Sequence, residues 1–256
     1  MDPRIIFEDE SIVALDKPSG LLVHPATLPE DRPLGVDLKD GPLEGESTLA
    51  DWLLQKFPMV EGVGEEGRFG IVHRLDQGTS GVMITAKTQQ AYVRLKKQFA
   101  HREVQKTYRA FVYGKVKNAR GIIDKAIGRS STGNRTAQLP ALSHKLQAAT
   151  RESRTTFKTL LRAPAASYLE LFPETGRTHQ IRVHLSALQH PIIGDERYAP
   201  NREPILGFTR LALHALALSF SHPITGKEAS FTAPLPPDFL AAEVQLQKAI
   251  DLDSGH

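Results

Sequence analysis

The stretch His73-Arg74-Leu75-Asp76-Gln77-Gly78-Thr79-Ser80-Gly81, followed at once by the apolar Val82-Met83-Ile84, constrains this chain more than any other. An acid stands two residues after a base, and small residues come next. Gly, Thr and Ser tolerate backbone angles that other residues avoid, so such a loop can hold a carboxylate in a fixed direction. The run from Gly81 to Ala86 reads as a strand that anchors the loop on a rigid element. Reactive groups belong on loops supported in this way. The structural alternative is that Asp76 merely caps a turn, a common job for Asp ahead of Gly and Thr. The nonapeptide alone does not separate the two.

Charge distribution adds a second constraint. The net charge is only +3, yet residues 1–51 carry 12 Asp/Glu against 4 Lys/Arg, and residues 94–158 carry 16 Lys/Arg against 3 Asp/Glu. A solvated basic face would mix its charges with acids. This block does not, so it suits a polyanion, with RNA or DNA the obvious partner. There is no cysteine, which removes disulfides, thiolate metal sites and thiol nucleophiles. The apolar run after Met1-Asp2-Pro3-Arg4 is too short for a signal peptide, and no uncharged stretch approaches the roughly 18 residues of a membrane span. The expected location is cytoplasmic.

Taken in order, Ile5–Phe7 and Ile12–Leu15 read as strands about a turn, and Leu21–Val23 as renewed extended chain. Residues 24–47 form a long loop rich in Pro, Gly and acids, with its acidic core at 26–47. Thr48 caps a helix through Phe57, and Thr88 caps another to about His101 with Ala91, Leu95 and Phe99 inward. Lys106–Tyr113 alternates as a strand carrying Tyr108, Ala110 and Val112 on one face. Residues 128–136 look like a flexible basic loop. Strands are expected at 154–162 and 167–172, then a helix from Gly176–Thr178 through Leu188 that His190–Asp195 terminates. A hairpin follows around His222–Gly226, and a helix opened by Pro236-Pro237-Asp238 leads to a tail disordered from Asp251. Strands interleaved with few helices, without regular alternation, predict an α+β fold around a mostly antiparallel, mixed central sheet flanked by helices and loops. No repeat and no linker appear, so one domain over 1–250 is expected, with 251–256 as tail.

Three constellations compete for the chemistry. His179 and His184 are five apart, roughly 140° around a helix at 3.6 residues per turn, whereas zinc helices place ligands four apart on one face. A metal-dependent phosphoesterase using His73, Asp76, His179 and Asp195 is therefore the weaker reading. No phosphate-binding GxxxxGK[ST] loop and no GxGxxG is present. A carboxylate such as Asp76, kept ionised in a half-buried pocket, needs a cation to oppose desolvation. Arg74 points the other way on extended chain, so the cation should come from Gly176-Arg177-Thr178-His179-Gln180-Ile181-Arg182-Val183-His184, where a helix start would add free N–H groups. Arg177 and Arg182, five apart, would divide between pocket and phosphate. Tyr108 follows the most basic stretch and can stack on a flipped base or sit in the core.

These residues carry a family resemblance. Asp16–Pro25 (DKPSGLLVHP), HRLDQGTSG at 73–81, KTYRA at 106–110, GRTHQIRVH at 176–184, HPIIGD at 190–195 and LALHA at 211–215 resemble, in order and rough spacing, the motifs of RluA-type RNA pseudouridine synthases. They span nearly the whole chain. The resemblance implies an isomerase that detaches uracil in RNA and rejoins it through C5, with no cofactor and no metal. It makes Asp76 the nucleophile, acting on the ribose or on the ring. Tyr108 would pack on the base and serve proton transfer at C5, and Arg182 would pair with the Asp carboxylate. Arg74 would hold the space left by the flipped nucleotide, and substrate contacts extend to His73, Thr79, Lys106, Arg177, His179 and Gln180. A lone carboxylate disfavours ordinary glycoside hydrolysis, which uses two. The motifs begin within the first twenty residues, so a compact member without the N-terminal RNA-binding module of many relatives is expected. Its partner would be ribosomal or transfer RNA, ribosomal favoured, and the protein a monomer. A non-catalytic RNA binder of the same fold is the main alternative.

Overall fold

A computed structural model describes residues 2–24, 47–129, 135–138 and 150–254. Its chain divides into two units, Met1–Gln105 with Ala217–Ala233, and Lys106–Leu216 with Pro234–His256. The acidic 26–47 stretch, but for its last residue, lies outside the described residues, as do 130–134 of the expected basic loop.

In the first unit, β1 (Arg4–Glu8) and β2 (Ile12–Lys17) form a hairpin. Asp9 ties its turn, its Oδ1 accepting from the N–H groups of Ser11 and Ile12 at 2.7 and 2.8 Å. β3 (Ser80–Ala86) pairs antiparallel with β2, setting Lys17 opposite Gly81. Every β3 residue is buried, and Ile12 to Leu15 of β2 have no exposed surface, which accounts for the unbroken apolar runs. Helix α1 (Leu49–Lys56) is capped by Thr48 and Asp51 in a reciprocal box. Leu21–Val23 is not a strand. The carbonyls of Leu22 and Val23 instead accept the N–H groups of Leu49 and Ala50 at 2.8 and 2.9 Å, satisfying donors that a helix start leaves open. Helix α2 (Gln89–Ala100) carries the expected Thr88 cap and buries Ala91 and Leu95. Residues 217–221 pair antiparallel with Glu228–Thr232 as the expected hairpin.

The second unit is a sheet of β4 (Gln105–Tyr113), β9 (Ala166–Pro173), β8 (Arg154–Arg162) and β5 (Arg120–Asp124), antiparallel at each step and joined in that order. The strand β10 (Leu213–Ser221) begins in this unit and ends in the first, leading to β11 (Glu228–Thr232). Phe111 of β4 stacks on Tyr168 of β9 at 4.2 Å and meets the ring of Phe239 edge-on. Phe239 belongs to helix α4 (Pro237–Ser254), which presents Phe239, Ala242 and Leu246 to this core. That spacing of three and four residues is the inward stripe of a surface helix. α4 runs to Ser254, past the Asp251 at which a disordered tail was expected.

Two sequence expectations need correction here. The ends of the supposed loop at 128–136 pair as a hairpin, β6 (Ala126–Arg129) with β7 (Arg135–Gln138), setting Gly128 opposite Thr136. Its Gly, Ser and Asn content hid strands that depend on cross-strand pairing rather than local propensity. Helix α3 spans Gln180–Ala187, not from 176–178, because His179 stands in the left-handed region at φ 56° and begins the helix there.

Candidate active site

The loop bearing Asp76 is fixed to β2 from below. Lys17, the last residue of β2, is fully buried. Its Nζ donates to the carbonyls of Pro18, Leu21 and Gln77 at 2.9, 2.8 and 3.1 Å. A buried ammonium is tolerable only when its donors are met, and here they stitch the Asp16–Gly20 turn to the residue after Asp76. Gly20 N–H donates to Gln77 O at 2.9 Å, Gln77 returns a bond from Nε2 to Gly20 O at 3.1 Å, and Ser19 Oγ donates to Gly78 O at 2.7 Å. Thr79 N–H closes the turn on Asp76 O at 3.0 Å. Thr79 is buried and Asp76 half-buried. So the turn closes on the Asp76 backbone carbonyl.

His73 secures the other end of the loop. Its Nε2 accepts the N–H of Ile84 at 3.0 Å, and its ring stacks on Phe99 of α2 at 4.6 Å. The nitrogen that accepts is unprotonated, so this His serves the backbone as a neutral ring. Arg74, between them, is exposed and makes no hydrogen bond or ion pair among the described residues.

In the second unit, Tyr108 sits on β4 opposite Leu171 of β9, half-buried and packed against the core. Lys106 Nζ donates to Thr175 O at 3.1 Å, which brings it to the turn before α3. Gln180 organises that turn. Its Oε1 accepts from Thr175 Oγ1 at 2.6 Å and from Arg177 N–H at 3.1 Å, while its Nε2 donates to Arg154 O and Thr155 Oγ1, both at 3.0 Å. Arg177 therefore lies in the turn, its Nε donating to Glu152 O at 3.2 Å. Of the expected pair of arginines at a helix start, only Arg182 stands in the first turn of α3, because the helix begins after His179 and leaves Arg177 in the turn before it. His184 is fully buried on α3, with Nδ1 2.9 Å from Thr155 Oγ1 and Nε2 3.0 Å from both Lys125 O and Ser153 Oγ. Burial holds its imidazole below the usual value, which suits a neutral structural residue.

Arg182 has an immediate partner that the sequence reading weighed only as a metal ligand. Asp195 takes the guanidinium edge-on, at 2.8 Å from Nε and 2.9 Å from Nη2. The ring of Tyr198 lies 5.2 Å from the guanidinium carbon, and Tyr198 OH meets His179 Nδ1 at 3.0 Å. His179 is thus held by Tyr198, and Asp195 by Arg182. Among the described residues no three His, Cys, Asp or Glu side chains gather as a metal site would require. The sequence reading did not single out Lys17, and it did not pair Asp195 with Arg182. Each had a faint signal, a lone Lys ending an apolar strand and a lone acid following Gly in HPIIGD.

Residues 11–187 match the profile of a family described as RNA pseudouridylate synthase. Ribosomal large subunit pseudouridine synthase D of Vibrio parahaemolyticus is 36% identical over 95% of this chain and 70% of its own length. The uncharacterized RNA pseudouridine synthase YlyB of Bacillus subtilis is 35% identical over 97% of this chain and 74% of its own. Among solved structures, human RNA pseudouridylate synthase domain containing 1 superposes with a TM-score of 0.67 at 27% identity, covering 92% of this chain and 84% of that one. The α+β architecture, the ordered motifs and these matches agree: the chain belongs to the RNA pseudouridylate synthase family and is an isomerase that converts uridine in RNA to pseudouridine.

Proposed function

We propose that Asp76 is the nucleophile of this isomerase, acting with Tyr108 and Arg182 on uridines of large-subunit ribosomal RNA. The observation that carries the reading is the clamp under Asp76. Gln77 and Gly78 are bonded to Lys17, Ser19 and Gly20, which fixes the backbone just after the carboxylate, and His73 anchors the loop before it. A reacting group held this firmly needs little reorganisation to attack. The N1–C1′ bond of uridine breaks, the detached uracil turns while it is held, C5 bonds to C1′, the C5 proton leaves, N1 takes up a proton, and any bond formed to Asp76 breaks again. Attack by Asp76 at C1′ or on the ring satisfies the same balance. Tyr108, on a rigid strand, packs on the base and takes the C5 proton. Arg182 supplies the cation of the site.

The remaining assignments follow from what each side chain already does. Arg74 and Lys106 contact RNA, Arg74 in the space left by the flipped nucleotide. Thr79, His73 and Gln180, each held by protein partners, shape the two loops that meet the substrate. Arg177 and His179 border the same turn. The two units work as one catalytic domain over 1–250, as a cytoplasmic monomer without metal or cofactor. Flipping a uridine costs a few kcal/mol, least in loops, and phosphate contacts from the basic 94–158 block offset it. The ribosomal preference is supported by the relatives named for the large ribosomal subunit. No helix of the described residues is long and apolar enough to cross a membrane.

The test is tritium release from unmodified ribosomal and transfer RNA transcripts labelled at uridine C5, with a chelator present, for wild type and Asp76→Asn. Release from ribosomal RNA by wild type alone is expected, with RNA affinity of the variant unchanged. Release by Asp76→Asn, or a loss of wild-type activity to the chelator, would overturn the assignment. Binding without release from either RNA would favour the non-catalytic reading.

A further inference from the structure

Arg182 is not simply a cation on a helix. Asp195, whose side chain has no exposed surface, meets it through Nε and Nη2 at 2.8 and 2.9 Å. The carboxylate cannot drift, because its Oδ1 also accepts the backbone N–H groups of Arg197 and Tyr198 at 3.1 and 3.0 Å. Its own N–H is tied to Ile192 O at 3.2 Å. The guanidinium carbon lies 5.2 Å from the centre of the Tyr198 ring, and the Tyr198 hydroxyl is 3.0 Å from His179 Nδ1. A guanidinium offers five N–H donors in one rigid plane. Asp195 occupies the Nε/Nη2 edge of that plane, and donors remain on Nη1 and Nη2.

We infer that Asp195 is a positioning residue of the isomerase, fixing the direction in which Arg182 offers its remaining donors. This rests on the proposed reading of Arg182 as a catalytic residue. A buried ion pair is weak evidence for stability, since apolar residues of similar volume often serve as well. The features that make the pair more than ballast are directional: bidentate contact on one chosen edge, and two backbone donors fixing the acid. Holding a charged group within a fraction of an ångström is what this achieves, and a misplacement of about 1 Å can cost on the order of 10²-fold in rate.

A mutant cycle on the full chain tests it, using Asp195→Asn, Arg182→Met and the double variant, which leaves no buried charge unpaired. Single-turnover tritium release from unmodified ribosomal and transfer RNA transcripts, RNA dissociation constants and thermal melts would be recorded together. Asp195→Asn should slow turnover about 10²-fold with RNA affinity within about threefold of wild type. Adding it to Arg182→Met should change the rate by less than about twofold, because Asp195 acts only through Arg182. Asp195→Asn at the wild-type rate, or independent losses that multiply in a folded double variant, would overturn the inference. Arg182→Met at the wild-type rate, or a wild type silent on both RNAs, would overturn the underlying reading, and the inference with it.

Discussion

The ammonium of Lys17 lies 3.1 Å from the carbonyl oxygen of Gln77, the residue after Asp76, and Lys17 has no exposed surface. It closes the gap between two turns that are sixty residues apart in sequence. Replacing it with Met keeps the length and removes the donors, leaving three carbonyls to find others. Charge-assisted bonds contribute about 1.5–3 kcal/mol each, and relief of the buried charge offsets part of that. The expected net loss for Lys17→Met is about 2–4 kcal/mol, read as a lower urea midpoint. Turnover should fall further than RNA affinity. A variant with an unshifted midpoint and full activity would show that the clamp is dispensable.

Arg74 is the opposite case, exposed and without a hydrogen bond or ion pair among the described residues. Surface changes of this kind move stability by less than about 0.5 kcal/mol. Arg74→Ala should therefore leave the melt unchanged while weakening RNA binding, and flatten the slope of log affinity against log salt by about 1. An unaltered salt slope would mean that Arg74 touches no phosphate.

Much of this was legible because it is local. Thr48 and Thr88 announce their helices, unbroken apolar runs announce β2 and β3, and the ordered motifs announce the family. What was hidden depends on partners distant in sequence. β5 forms because Arg120–Asp124 finds Lys158–Arg154 across the sheet, and nothing within five residues signals that. The start of α3 was misplaced because nothing local signals the left-handed His179 that begins the helix, while the side chain of Gln180, from inside the helix, holds the turn before it. The Asp195 clamp on Arg182 joins residues thirteen apart through a turn at Gly194, and it becomes visible only once that turn is built.

His184 supplies a pH dependence. It is buried and hydrogen-bonded as a neutral ring, and burial lowers its folded-state value below the ordinary 6.5. The unfolded chain therefore binds the proton more readily. Its contribution to stability is complete above pH 6.5 and is lost as pH falls below that, by at most about 1.4 kcal/mol per pH unit for one proton. Chemical denaturation of wild type and His184→Gln between pH 8 and pH 5 should show the gap between them narrowing as the pH drops. Parallel curves would mean that His184 does not titrate with folding.

Gly194 determines whether Asp195 can reach Arg182 at all. It stands at φ 73°, and a Cβ there would overlap the carbonyl oxygen of Arg210. Backbone oxygen cannot rotate away as a side chain can. Gly194→Ala thus combines left-handed strain with a backbone clash, together about 2–4 kcal/mol of destabilisation. Gly176 is the internal comparison, since an added Cβ would meet nothing within 4 Å and its backbone is not left-handed. Gly176→Ala should be neutral, or stabilising by up to about 1 kcal/mol through a stiffer unfolded chain. Thermal melts of the two variants side by side separate the effects. In the fraction of Gly194→Ala that stays folded at low temperature, turnover should drop as it does for Asp195→Asn, because the turn that delivers the carboxylate to the guanidinium has moved. Equal melts for the two variants would contradict the turn geometry, and full turnover in folded Gly194→Ala would separate that turn from catalysis.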